Sequence, residues 1–307
     1  RRNAPRRSSR PPINAGRWAL RAGLAALVLA AAAAAALEDR DGKLVSQRKP
    51  AIGSVTAAVA DPGPPPVTPS ASAVRAAERY AGGREGLVSF ATIDSRGRMH
   101  GLAPHRPYAS ASVVKTLLLA AELRRLGVAD APIDDGTRTL LARMITYSDN
   151  DSADAIYSRV GDAGLYRVAE DAGIRSFTIS GYWANAQITA GDMALFMSRL
   201  DRAIPAGKRE FGLSVLEDVV PEQSWGIREA AGWKWSVRFK GGWRSTELGA
   251  LVHQAAELRH EDGSRTSIAV LTDAQPSQDY GIETVLGVAE RLLGRQSTRI
   301  GAIHQSK

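Results

Sequence analysis

The chain has 307 residues, 44% of them apolar, which is enough for a sizeable core and too much for a disordered chain. Its formal charge of +8 is concentrated at one end: residues 1–21 hold seven arginines and no acid, and the remainder carries 33 basic against 32 acidic residues. A nearly neutral body gives no phosphate-tracking surface, so no nucleic-acid partner is expected, and the absence of cysteine excludes a disulfide scaffold, a thiolate metal site and a cysteine nucleophile.

Behind the basic segment at 1–21 lies Ala22 to Leu37, sixteen residues without charge or proline, ten of them Ala. A basic flank followed by an apolar helix inserts with its basic side in the cytoplasm, which predicts a signal anchor or signal peptide over 22–37. The run covers about 24 Å of a roughly 30 Å hydrocarbon core, and counting from Trp18 with Arg21 snorkelling makes up the difference. The protein is therefore expected outside the cytoplasm, membrane-anchored or secreted, with the membrane as a partner through this segment. Residues 38–72 contain Pro50, Pro62, Pro64, Pro65, Pro66 and Pro69 and read as an extended Pro/Ala-rich linker. A folded domain is expected over 73–295, with 296–307 as a tail.

Within the domain, Val74 to Tyr80 has the apolar spacing of an amphipathic helix. Gly86 to Ile93 and Met99 to Leu102 read as a hairpin across the turn Asp94-Ser95-Arg96-Gly97. Residues 112 to about 220 read as helices, among them Val113 to Leu126, Thr139 to Ile145, Ala153 to Val160, Leu165 to Ala172 and Ala190 to Leu200. Three strands follow, Ser236 to Lys240, Leu248 to Leu258 and Thr266 to Thr272, the last two joined at Glu261-Asp262-Gly263, and a helix from Ile282 to Leu293 closes the domain. Strands at both ends of a helical middle predict an α+β fold: one antiparallel sheet, terminal helices covering it, and an all-helical subdomain.

Three short motifs carry chemistry. Ser112-Val113-Val114-Lys115 places a hydroxyl and an amine on one face of a helix's first turn, where the positive helix end and apolar surroundings disfavour an ammonium and let a neutral amine take the Ser proton. The spacing alone also fits an ordinary helix N-terminus, since about half a Ser-x-x-Lys match is expected by chance. Ser148-Asp149-Asn150 is sharper, with roughly 0.02 chance occurrences, although each of its residues also suits an N-cap. Lys240-Gly241-Gly242 ends a predicted strand, where two glycines let a ligand lie against backbone N–H groups.

In this order and these settings the three motifs resemble those of the serine β-lactamases and penicillin-binding proteins, most closely the class A type. The resemblance spans about Ala73 to Leu293 and implies the β-lactamase-like fold, with a sheet of about five strands. It also implies that Ser112 forms an acyl-enzyme with Lys115 as general base, that Ser148 relays a proton to the leaving nitrogen, and that Asn150 holds Lys115 and the substrate amide. Lys240, with Gly241 and Gly242, would bind the substrate carboxylate, and the N–H groups of Ser112 and Trp243 would form the oxyanion hole. Two departures stand out. Gly241 replaces the family's Thr, and residues 175–187 contain no carboxylate where the family carries a Glu-x-x-Leu-Asn loop. Glu170 and Asp171 lie just upstream, in a predicted helix.

The expected substrate is a β-lactam or a cell-wall peptide, the alternatives to a β-lactamase being a D,D-carboxypeptidase or penicillin-binding protein and a non-catalytic peptidoglycan-binding pseudoenzyme. No cofactor is needed, because side chains and water suffice, and the protein is expected to be a monomer. The histidines His100, His105, His253, His260 and His304 include no closely spaced ligand pair, so no metal site is expected. Trp225, Trp233, Trp235 and Trp243 gather around the third motif, as core packing or as an aromatic wall beside the cleft.

Overall fold

The computed structural model describes residues 68–294. The basic segment, the apolar run, the linker up to residue 67 and the tail from 295 lie outside the described residues. The elements are α1 (Ala71–Gly82), β1 (Leu87–Ile93), β2 (Met99–Leu102), β3 (Pro107–Ala109), α2 (Lys115–Val128), α3 (Asp135–Thr146), α4 (Asn150–Asp171), β4 (Gln187–Thr189), α5 (Ala190–Ser198), α6 (Leu200–Ala203), α7 (Ala206–Glu217), α8 (Ile227–Ala231), β5 (Trp235–Thr246), β6 (Gly249–His260), β7 (Arg265–Gln275) and α9 (Gln278–Leu292). Among the described residues, no helix is long and apolar enough to cross a membrane.

Five strands form the one antiparallel sheet that the sequence predicts, here in the order β2-β1-β7-β6-β5, and β3 pairs with β4 in a two-stranded ribbon that the sequence pattern did not reveal. Because side chains alternate across a strand, each row of paired residues belongs to one face. Phe90, Val270, Ile268, Ala256 and Phe239 face α1, α8 and α9 and make one core with Val285 and Val288. The opposite face presents the row Ala91, Ala269, Ala255 and Lys240, in which three small residues let the helical subdomain pack close.

The helix lying on that face is α5, which packs on β1, β6 and β7, and behind it α2 forms the centre of the helical subdomain against α3, α4 and α7. The α2 sequence is apolar nearly all round, and the helix is buried all round: every residue from Lys115 to Leu123 is inaccessible or nearly so. The one acid in that stretch, Glu122, accepts two hydrogen bonds from Arg125 at 2.6 and 2.8 Å and one from Arg159 of α4 at 3.1 Å, so its buried charge is paired and also ties two helices together. The two helices expected at Ala153 to Val160 and Leu165 to Ala172 are the halves of α4, which is broken at Gly161 by a left-handed φ of 58°. One expectation fails. Lys240-Gly241-Gly242 does not end its strand, because β5 stays paired with β6 through Thr246, the ladder hydrogen bonds outweighing the weak strand propensity of the two glycines.

The next row across the sheet is Ser89, Leu271, His253 and Gly242. His253 is fully buried; its Nδ1 accepts from the Thr272 N–H at 3.1 Å, which leaves Nε2 to donate to the Ala109 carbonyl at 3.0 Å. It thereby fastens the end of β3 to the sheet, while Tyr108 packs edge-on against the imidazole and hydrogen-bonds Ser89 at 2.9 Å. Burial pushes its pKa down to about 4 from an ordinary 6.5. A histidine held neutral stabilises the fold fully above the unfolded-state pKa, and that contribution is lost as pH falls from about 6.5 towards about 4. We predict a loss of about 2–3 kcal/mol in urea unfolding between pH 7 and pH 4.5 from this group. His253→Gln, which keeps a donor but cannot titrate, should flatten that slope, and an unchanged slope in the variant would contradict the assignment.

Candidate active site

The chain leaves β3 into a tight turn, Ala111–Val114, that feeds directly into α2. Ala111 sits in the left-handed region at φ 45°, a conformation that persists in a non-glycine residue only where the surroundings impose it. Ser112, the next residue, is half-buried and its hydroxyl makes no hydrogen bond among the described residues. Edge strand β5 runs past this turn so closely that a β-carbon on Gly242 would lie 2.7 Å from the Ser112 nitrogen and 3.0 Å from that of Val113. Glycine is therefore required at 242 for close approach. The outer edge of β5 has no strand partner, so backbone N–H groups past Gly242 are free to face a ligand.

Lys115, the first residue of α2, is completely buried. Its Nζ donates to the Ser148 carbonyl at 2.6 Å and to Asn150 Oδ1 at 2.7 Å, with the Asp149 carbonyl at 3.3 Å and Ser148 Oγ at 3.4 Å. These partners come from the α3–α4 connection: Asp149 caps α4 by accepting from the Ser152 N–H, and Ser148 takes a left-handed φ of 58° that turns its carbonyl and its hydroxyl to the same amine. Asn150, one residue into α4, adds its side-chain oxygen. Burial pushes the Lys115 ammonium down to about 8, against the opposing pull of the Asp149 and Asp154 charges. A neutral amine keeps two N–H groups for the two short contacts and frees a lone pair beside Ser148 Oγ.

Lys240 reaches the same region from the sheet. It is also completely buried, and its only hydrogen bond among the described residues runs to the Gly241 carbonyl at 2.9 Å. Burial, and then the charge of Lys115, holds it well below the ordinary lysine range. The two lysines repel, and Lys240 has spare donor capacity that an incoming anion would fill.

Of the eight residues singled out from sequence, Ser112, Lys115, Ser148, Asn150, Lys240 and Gly242 converge on this cleft. Gly241 and Trp243 lie on the other face of β5: a β-carbon on Gly241 would meet the Trp243 ring at 3.6 Å and Gln254 at 3.8 Å. Trp243 packs edge-to-face on Trp225, whereas Trp233 is 83% exposed and Trp235 stacks near His260, so the four tryptophans do not form one wall.

Sequence reasoning missed three side chains here. Residues 175–187 supply Trp183, 2% exposed, whose ring face lies 4.7 Å from Lys115 Nζ and whose indole N–H donates to Asp154 at 2.6 Å. Asp154 is one helical turn beyond Asn150, a spacing that could have flagged it as sharing that residue's face. Arg244, two residues past Gly242 and so on its face, donates to Asn185 Oδ1 at 3.3 Å and links the 175–187 segment to β5. The upstream acids do not enter: Asp171 pairs with Arg124 and Glu170 is exposed. Among the described residues no cluster could hold a metal ion.

A family model described as "Beta-lactamase enzyme family" matches residues 134–296, just over half of the chain. The chain belongs to the beta-lactamase enzyme family. No curated protein matches it significantly. Similar solved structures include a beta-lactamase from Sphaerobacter thermophilus (19% identical, TM-score 0.64, covering 73% of this chain and 97% of that one). Another is a class A beta-lactamase from Bacteroides cellulosilyticus (13% identical, TM-score 0.67, covering 74% and 98%). A third is a beta lactamase from Burkholderia vietnamiensis (19% identical, TM-score 0.64, covering 73% and 96%). At these identities the likeness shows the fold, and the fold is that of the class A beta-lactamases.

For this beta-lactamase-family chain the two motif glycines should separate experimentally. Gly242→Ala forces a β-carbon onto backbone atoms of the serine turn, so we predict at least a tenfold loss in Ser112 labelling by a serine-reactive probe together with a lower Tm. Gly241→Ala meets only ordinary contacts and should leave Tm within about 2 °C of the parent. Equal tolerance at both positions would contradict the close approach at 242.

Proposed function

We propose that this chain is a serine hydrolase that opens β-lactam amide bonds through an acyl-Ser112 intermediate. The observation that carries the reading is the setting of Lys115: a fully buried amine, pushed towards its neutral form and held by Ser148 and Asn150 in the helical turn that follows Ser112. On this reading neutral Lys115 takes the Ser112 hydroxyl proton as Oγ attacks the lactam carbonyl. The oxyanion is met by the N–H groups of Ser112 and Trp243. The C–N bond then breaks, the proton passes through the Ser148 hydroxyl to the leaving nitrogen, and water later cleaves the ester to release the acid and free Ser112. The Arg244 guanidinium and Lys240, on the same face of β5, meet the substrate carboxylate, whose charge favours protonation of Lys240.

One observation favours a second reading. The 175–187 segment brings Trp183 rather than a carboxylate against Lys115, so nothing from that segment activates the deacylating water, and a long-lived acyl-enzyme, as in a penicillin-binding protein or D,D-peptidase, fits as well. Placement outside the cytoplasm, tethered or released after export, is supported by the arginine-rich start and the apolar run from Ala22 to Leu37.

The test is intact-protein mass after exposure to a panel of penicillins and cephalosporins. We predict a covalent adduct of the drug's mass on the wild-type chain and none on Ser112→Ala. Adducts that decay with drug hydrolysis favour a β-lactamase, and persistent ones the penicillin-binding reading. Neither adduct nor hydrolysis across the panel would overturn the proposal.

A further inference from the structure

A cavity of about 650 Å³ opens at the far end of the helical subdomain, between the C-terminal half of α2, the second half of α4 and the corner between α6 and α7. Arg124, on its wall, is nine residues along α2 from Lys115, about 14 Å of helix, so the cavity is separate from the cleft. Small residues make its floor. Ala121 of α2 and Gly164 of α4 meet where larger side chains would fill the space: a β-carbon on Gly164 would lie 3.8 Å from that of Ala121. Val160 and Val168 complete an apolar base, and Val128, at the end of α2, stands on the rim 92% exposed. The volume lies within the range of about 300–1,000 Å³ in which small molecules bind.

The walls are cationic. Five arginines line the cavity: Arg124, Arg125, Arg159, Arg167 and Arg202. Three are committed, Arg124 to Asp171 and Arg125 and Arg159 to the buried Glu122. Arg167 and Arg202 are exposed and their guanidinium groups have no carboxylate or hydrogen-bond partner among the described residues. Five guanidiniums against two carboxylates leave an uncompensated positive field over an apolar floor. A small polar anion or a neutral hydrocarbon satisfies only one half of that surface, whereas an anion with an apolar tail satisfies both.

We propose that this cavity binds an alkyl carboxylate, with the tail on the Ala121, Gly164 and Val168 floor and the carboxylate on Arg167 and Arg202. The site is independent of chemistry at Ser112. The test is calorimetric titration of the full chain with decanoate, decylammonium and inorganic phosphate. The same titrations on Arg167→Ala/Arg202→Ala and on Val128→Asp place the ligand. All three positions are exposed, so the variants should keep the parent Tm. The proposal expects saturable one-to-one binding of decanoate, at least tenfold weaker in the double variant, several-fold weaker in Val128→Asp and unchanged in Ser112→Ala. Decylammonium binding as tightly as decanoate would overturn it by showing an apolar site only, and phosphate binding as tightly would overturn it by showing an anion site only. It also falls if decanoate shows no saturable binding, or if the double variant converts a dimer to a monomer without affecting decanoate, which would make this face a contact between copies.

Discussion

Two lysines, Lys115 and Lys240, are buried within range of each other's charge, and neither hydrogen-bonds a carboxylate among the described residues. Two unpaired ammonium groups in an apolar interior cost far more than a folded domain's net stability allows, so the pair sheds a proton. With a midpoint of about 8, Lys115 carries a lone pair in a fraction of molecules at neutral pH, where a free lysine is almost wholly an ammonium. Its surroundings disfavour the charge: α2 is buried and apolar around Lys115, and Ser148 and Asn150 supply uncharged oxygens that hydrogen-bond the amine, against the opposing charges of Asp149 and Asp154.

The same region concentrates backbone strain. Ala111 and Ser148 both occupy left-handed conformations, one immediately before Ser112 and the other against Lys115, and Gly242 brings an edge strand to within contact of the serine turn. Such geometry survives only when the rest of the fold over-determines it. The buried His253, bonded to β3 on one side and β7 on the other, and the Glu122–Arg159 pair joining α2 to α4, are the ties that do so. They lie outside the cleft, and their contribution to it is positional.

Much of this was legible in the sequence because it is local. Helix periodicity marked the helices of the subdomain and short apolar runs bounded by turns marked the five strands of the sheet, while Ser112, Lys115, Ser148, Asn150 and Lys240 stood out through three short motifs taken together and in order. What was hidden depends on contacts between distant segments. The strand through Gly241 and Gly242 continues because β6 pairs with it, not because its residues favour a strand. Asp154 and Trp183 are an ordinary helix position and an ordinary loop aromatic until the fold brings a loop tryptophan over Lys115 and a helix carboxylate under its indole. His253 read as an isolated histidine because both of its partners, Ala109 and Thr272, are remote in sequence.

The account rests on the ionisation of the buried pair, and the direct measurement is a lysine titration by NMR of 13C-labelled full chain, with Lys115→Met and Lys240→Met assigning the signals. The account predicts a Lys115 midpoint of about 8. It also predicts a Lys240 signal well below the ordinary lysine range that moves upward in Lys115→Met as the neighbouring charge is removed. If both lysines titrate at the ordinary value near 10.5, or if Lys240 is indifferent to the loss of Lys115, the buried-pair account is contradicted.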